Sequence, residues 1–175
     1  MLALLAALGA AGCDDKDGSA GLPPPAPLTA EAIGHFCGME LVEHPGPKGQ
    51  ILLRGSDRPV WFSSARDAIA FTMLAEEAKT LRAIYVSDMG RVESWDRPGA
   101  ASWVEARRAH FVIGSDRRGG MGAAEAVPFS DRAAADRFAA EHGGQVLAFT
   151  QIPRDWVLGD DDAAPPPGTT HTGRH

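Results

Sequence analysis

Short apolar runs separated by polar turns recur along this 175-residue chain, and they recur in pairs. Ile51-Leu52-Leu53 precedes Gly55-Ser56-Asp57-Arg58, and Phe111-Val112-Ile113 precedes Gly114-Ser115-Asp116-Arg117. Each pair reads as a strand and its turn, since β-branched and aromatic runs bounded by Gly, Ser and Asp fit a pleated, half-buried surface. A second apolar run follows in each copy, Val60-Trp61-Phe62 and Val127-Pro128-Phe129, and a serine then opens a segment of helical period. In the first copy Ser63 or Ser64 serves as the N-cap, and Asp67 completes a capping-box-like pair with Ser64. Ile69 and Met73, four apart, share the inward face. In the second copy Ser130 caps, Phe129 staples, Ala134 and Phe138 share a face, and Gly143 stops the helix. Ala83-Ile84-Tyr85-Val86 and Gln145-Val146-Leu147-Ala148-Phe149 close the two copies as strands. The predicted fold class is α+β: two tandem ββαβ units, residues 29–98 and 99–158, forming one compact pseudo-duplicated protein.

The ends carry no such pattern. Residues 14–28 are polar and then proline-rich and read as a semi-extended linker. Residues 159–175 lack apolar periodicity and read as a disordered tail. Met1 to Gly12 is a continuous apolar run, shorter than the roughly 20 residues a bilayer span needs, and it matches the apolar region of an export signal. Ala10-Ala11-Gly12-Cys13 resembles the lipobox of bacterial lipoproteins, in which the cysteine is acylated and becomes the mature N-terminus. Residues 1–13 are thus expected to be a signal ending in a lipidated Cys13, with the protein periplasmic and anchored to a membrane. Asp14-Asp15 resembles an inner-membrane retention signal. An ordinary cleaved signal and a Cys13–Cys37 disulfide are the competing accounts, and the Gly/Pro-rich tether would make that disulfide a poor staple.

Composition narrows the function classes. Lys and Arg number 17 against 23 Asp and Glu, for a formal net charge of −6, and no basic run appears, so nucleic acid is not an expected partner. The 44% hydrophobic content is that of a soluble globular protein.

The candidate chemistry centres on His35-Phe36-Cys37-Gly38-Met39. With Cys13 consumed by processing, Cys37 is the one thiol left in a compartment that oxidises thiols. A thioether stands two residues away, and thiolate plus thioether is the donor set that selects Cu(I) over harder ions. Gly38 lets both sulfurs swing toward one point without Cβ crowding. The internal repeat breaks in one informative place. Between the Gly-Ser-Asp-Arg turn and the next strand the first copy has only Pro59, whereas the second has nine residues, 118–126. They place an isolated Met121 among glycines, which reads as a flexible loop, and loops on a rigid scaffold are where binding residues concentrate. Met121 is therefore the first candidate to complete a site begun by Cys37 and Met39. Met89, in Ser87-Asp88-Met89-Gly90, and the imidazole of His35 are further candidate donors. His44, His110 and His142 lack soft neighbours and read as surface or satisfied residues.

Competing chemistries find less support. Structural zinc wants about four N/S ligands at paired spacings, which are absent. No nucleophile elbow, phosphate loop or dinucleotide fingerprint surrounds the candidate residues. The chain does not read as an enzyme; a thiol-dependent periplasmic enzyme and an inert structural lipoprotein are the alternatives.

Three motifs in order carry a family resemblance: Cys37-Gly38-Met39, Tyr85-Val86-Ser87-Asp88-Met89-Gly90, and Gly119-Gly120-Met121-Gly122 followed by Glu125-Ala126-Val127-Pro128-Phe129. They resemble the NosL family, the nitrous oxide reductase accessory lipoproteins, over nearly all of the chain from the lipobox to about Trp156. The resemblance implies a membrane-tethered periplasmic Cu(I) metallochaperone. It would supply the copper centres of nitrous oxide reductase by ligand exchange, working with a membrane transporter complex and its periplasmic subunit. It implies a copper set of Cys37, Met39 and Met121, with Met89 or His35 in addition. It also implies a fold similar to the doubled ββαβ, which resembles the N-terminal domain of organomercurial lyase.

Overall fold

β1 (Gly49–Leu53) is the hub of one antiparallel sheet, with β2 (Val60–Phe62) on one side and β3 (Leu81–Ser87) on the other. The computed structural model describes residues 21–74, 80–96, 98 and 103–159. The expected signal with Cys13, residues 14–20 of the expected linker, and the expected tail beyond Gly159 lie outside the described residues. β4 (Trp103–Glu105) joins the free edge of β3, so this sheet runs β2-β1-β3-β4. The second sheet has β5 (His110–Ile113) at its centre between β6 (Val127–Phe129) and β7 (Gln145–Ala148), in the order β6-β5-β7.

The two units have one topology. α1 (Ala65–Thr72) connects β2 to β3, and α2 (Arg132–His142) connects β6 to β7. In each, the first strand of the unit is central and the strand after the helix lies opposite the hairpin partner. The ββαβ duplication read from the paired apolar runs is therefore the fold. β4 adds to it: it lies in the segment assigned to the second unit yet completes the sheet of the first.

Packing explains why the repeated strands read as continuous apolar runs. On β5, Phe111 and Ile113 enter one core with Ile51, Phe62, Ile69 and Val86 of the first unit. Val112, one residue out of phase, enters a second core with Val127, Phe129 and Ala135. A strand alternates its side chains, so β5 is buried on both faces and fuses the units. Burying each of these large side chains stabilises the fold by about 1.5–3 kcal/mol.

Ser64 caps α1, its side chain accepting from the Asp67 N–H. At α2 the expected cap shifts by one residue. Asp131 caps, its two carboxylate oxygens accepting from Ala133 N and Ala134 N at 3.2 Å. Ser130 is occupied elsewhere: its N–H and its hydroxyl both donate to Asp88, tying the end of β3 to the start of α2. Gly143 ends the helix at φ +73°, as expected.

Within the described residues, the end of the expected linker contacts the first sheet. Ala26 and the buried Gln50 side chain exchange two hydrogen bonds, Ala26 N to Oε1 at 2.7 Å and Nε2 to Ala26 O at 2.9 Å. The Tyr85 hydroxyl donates to Pro23 O. Prolines hold this strand-like segment extended whether it is free or docked, and here it straps the outside of the first sheet.

Candidate metal centre

The Cys37 segment folds as a tight hairpin. Ile33 and Glu40 bridge antiparallel, Gly34 N donates to Met39 O at 2.9 Å, and Gly38 N donates to Gly34 O at 2.8 Å. Gly38 turns the chain at φ +67°, a conformation other residues adopt at a cost. A Cβ on Gly34 would collide with Cys37 Sγ, so the thiol lies directly over that residue. Leu41 is fully buried beneath the hairpin, and His35 N donates to Trp61 O at 2.7 Å, which docks the hairpin against the edge of β2. Cys37 is reduced and half-buried, whereas Phe36 and Met39 are exposed at 53% and 45%.

Met121 is also exposed, at 53%, on the loop that enlarges the second unit. That loop is better ordered than its glycine content predicts. Arg118 bridges Ala124, Gly119 N donates to Ala123 O, and Gly122 N donates to Gly119 O, both at 2.9 Å. Gly120 exists for close approach: a Cβ there would lie 2.8 Å from His44 Cβ, 3.1 Å from Ser63 O and 3.2 Å from Pro45 O.

The two sulfur-bearing loops pack on successive residues where β2 leads into α1. The rings of His35 and Phe36 lie 5.9 and 5.5 Å from the ring of Phe62. Gly120 packs on Ser63, and Met121 shares with Ser64 the lining of a cavity of about 270 Å³. Cys37 and Met39 are therefore held on a hairpin that packs on Trp61 and Phe62, and Met121 on a second loop that packs on the next two residues, Ser63 and Ser64. Met89 lies elsewhere. It is buried in the second core with Val112, Val127 and Phe129, and its N–H donates to Pro128 O. His35 is exposed, its ring edge-on to Phe62 and Phe71 beside the Cys37 turn.

A buried polar cluster under the Met121 loop is the feature the sequence did not single out. Glu125 is buried, and its Oε1 accepts from Arg66 N and Ala126 N at 2.9 Å and from the Ser64 hydroxyl at 3.2 Å. Its Oε2 has no hydrogen-bond partner among the described residues. Burial pushes the Glu125 carboxyl up to about 7, with Asp67 adding to the rise and the N–H donors and Ser64 opposing it. Lys48 is buried nearby, its ammonium donating to Pro45 O and Gly46 O at 2.8 and 2.6 Å. Burial lowers Lys48 to about 8 while the Glu125 charge pulls it back up. His44 was expected at the surface or satisfied; it is 8% exposed, and its Nε2 is unpartnered among the described residues. In the sequence Glu125 opens the last stretch of the third motif, a carboxylate between two alanines at the mouth of an apolar strand.

Among the described residues no three His, Cys, Asp or Glu side chains stand together as a metal site. Of the candidate donors, Met39, Met121 and His35 are exposed.

A family model described as NosL matches residues 25–157. A copper-binding lipoprotein NosL of Achromobacter cycloclastes is 51% identical over 135 residues, covering 77% of this chain and 70% of that protein. Its namesake in Stutzerimonas stutzeri is 32% identical over 152 residues, covering 87% and 78%. The crystal structure of the copper chaperone NosL from Shewanella denitrificans superposes with a TM-score of 0.70 at 32% identity, covering 75% of this chain and 98% of that one. By family model, by sequence and by fold, this chain belongs to the NosL family.

Proposed function

We propose that this protein is a membrane-anchored periplasmic metallochaperone. It binds Cu(I) and delivers it for assembly of the copper centres of nitrous oxide reductase. The observation that carries the reading is that the exposed Met39 and half-buried Cys37 stand on a hairpin packed on Phe62, and the exposed Met121 on a loop packed on the adjoining Ser63 and Ser64. Relatives named as copper-binding lipoproteins and as a copper chaperone support it.

One thiolate and two thioethers make a soft donor set that favours Cu(I) and disfavours Zn(II), which closes about four ligands around itself. Cu(I) so held is coordinatively unsaturated and open to solvent. A soft ligand of a receiving protein can add before Cys37 or a methionine leaves, so copper passes by exchange and is never free. Lipidation at Cys13 holds the protein at the periplasmic side of a membrane, the inner one on the reading of Asp14-Asp15. The receiving protein on this reading is the periplasmic subunit of a membrane transporter complex. The net charge of −6 favours a partner with a positive patch.

Anaerobic Cu(I) titration against a competing chelator tests the reading. A one-to-one complex that is lost in Cys37→Ala and weakened in Met121→Ala is expected. Unchanged affinity in both variants rejects it.

A further inference from the structure

We infer that Glu125 is a positioning residue for Cu(I) binding: it latches the Met121 loop onto the start of α1 and so sets where that thioether is presented. The inference rests on the proposed function, which places Met121 among the copper donors. Glu125 belongs to the second unit, yet its Oε1 accepts the backbone N–H of Arg66, in the first turn of α1, and the hydroxyl of the N-cap Ser64. First-turn N–H groups have no partner within their own helix, and a carboxylate there also meets the positive end of the helix dipole. Here that partner comes from 59 residues away and carries the loop with it.

The same side chain supports the loop from within. Oε1 accepts Ala126 N, and Oε2 lies against Gly119, where a Cβ would stand only 2.5 Å away. Gly119 and Gly122 close the turn that displays Met121. Met121 itself is exposed and has little packing of its own to hold it. Its position relative to Ser63 and Ser64, next in the chain to the Phe62 on which the Cys37 hairpin docks, is therefore set by what anchors the loop base. Glu125 is that anchor.

The test uses the full chain and Cu(I) as the probe, with Glu125→Ala, Glu125→Gln, Met121→Ala and the double variant Glu125→Ala/Met121→Ala. Affinity is read by chelator competition and the sulfur count by X-ray absorption. Glu125→Ala is expected to weaken Cu(I) binding about tenfold or more, as loss of a supporting partner does. It should also remove one sulfur scatterer, and adding Met121→Ala should cost nothing further. Glu125→Gln keeps an oxygen acceptor toward Arg66 and Ala126 and is expected to restore most of the affinity. If Glu125→Ala does not fold, Gly119→Ala disturbs the same contact from the loop side and is read in the same way. Wild-type affinity and sulfur count in Glu125→Ala, or losses that multiply in the double variant, overturn the inference. Should Met121→Ala alone keep wild-type affinity, the copper role of Met121 fails first and this inference falls with it.

Discussion

The carboxylate of Glu125 accepts a hydrogen bond from the Arg66 N–H at 2.9 Å, so the second ββαβ unit caps the helix of the first. Arg66 in turn reaches the far end of the chain. Its guanidinium donates to the carbonyls of Val157, Trp156 and Gly159 around α3 (Arg154–Leu158) and lies 5.1 Å from the Trp156 ring. The first turn of α1 is thus a hub that joins both units and the C-terminal helix beside the candidate metal centre.

Glu125→Ala leaves the buried N–H groups of Arg66 and Ala126 without their acceptor, and each such group costs about 1–3 kcal/mol. A loss of about 3 kcal/mol is expected, with a smaller loss in Glu125→Gln. Urea unfolding checks it: the midpoint should fall while the slope holds.

The same carboxyl makes stability depend on pH. Its folded-state pKa is raised from 4.5 to about 7, so the folded protein keeps a proton that the unfolded chain releases in that window. The stability from this group is complete below about pH 4.5 and is lost as pH rises through about 7. Relative to Glu125→Gln, which cannot titrate, wild type should lose on the order of 3 kcal/mol across the window. Denaturation of both proteins at about pH 5 and about pH 7.5 measures the difference, and a pH-independent difference contradicts the assignment.

Gln50→Ala removes both side-chain partners of Ala26 and should release the strap ahead of Thr29. Hydrogen exchange at the Ala26 amide is expected to speed up about tenfold or more, because each bond holding it contributes about 1 kcal/mol. Protection equal to wild type would mean the strap is held by other contacts.

The doubled fold was legible because each strand is a compact apolar run and each turn repeats as Gly-Ser-Asp-Arg. Other features depend on partners far away in sequence. Ser130 has the chemistry of a cap, but it is tied to Asp88, 42 residues earlier, and the carboxylate of Asp131 accepts the first-turn N–H groups instead. A proline-rich segment looks the same whether solvated or strapped down, and only Gln50 and Tyr85 decide. The exposure of Met39 and Met121 was legible from their glycine-flanked settings, whereas Met89, beside Gly90 in a similar setting, is buried in the second core. The role of Glu125 was not legible, because its partners Ser64 and Arg66 lie in the other unit.

Gly34→Ala probes the thiol without touching a donor atom. The added Cβ collides with Cys37 Sγ and must displace it from the hairpin. Cu(I) affinity is expected to fall about tenfold, with the fold retained by circular dichroism. Unchanged affinity would show that Cu(I) binding does not depend on where the hairpin holds that sulfur.

X-ray absorption of the Cu(I)-loaded protein addresses the central claim most directly. Wild type should show a sulfur shell supplied by Cys37, Met39 and Met121, and Met121→Ala the same shell with one sulfur fewer. A wild-type spectrum dominated by nitrogen or oxygen scatterers, or one that Met121→Ala leaves unchanged, would contradict it.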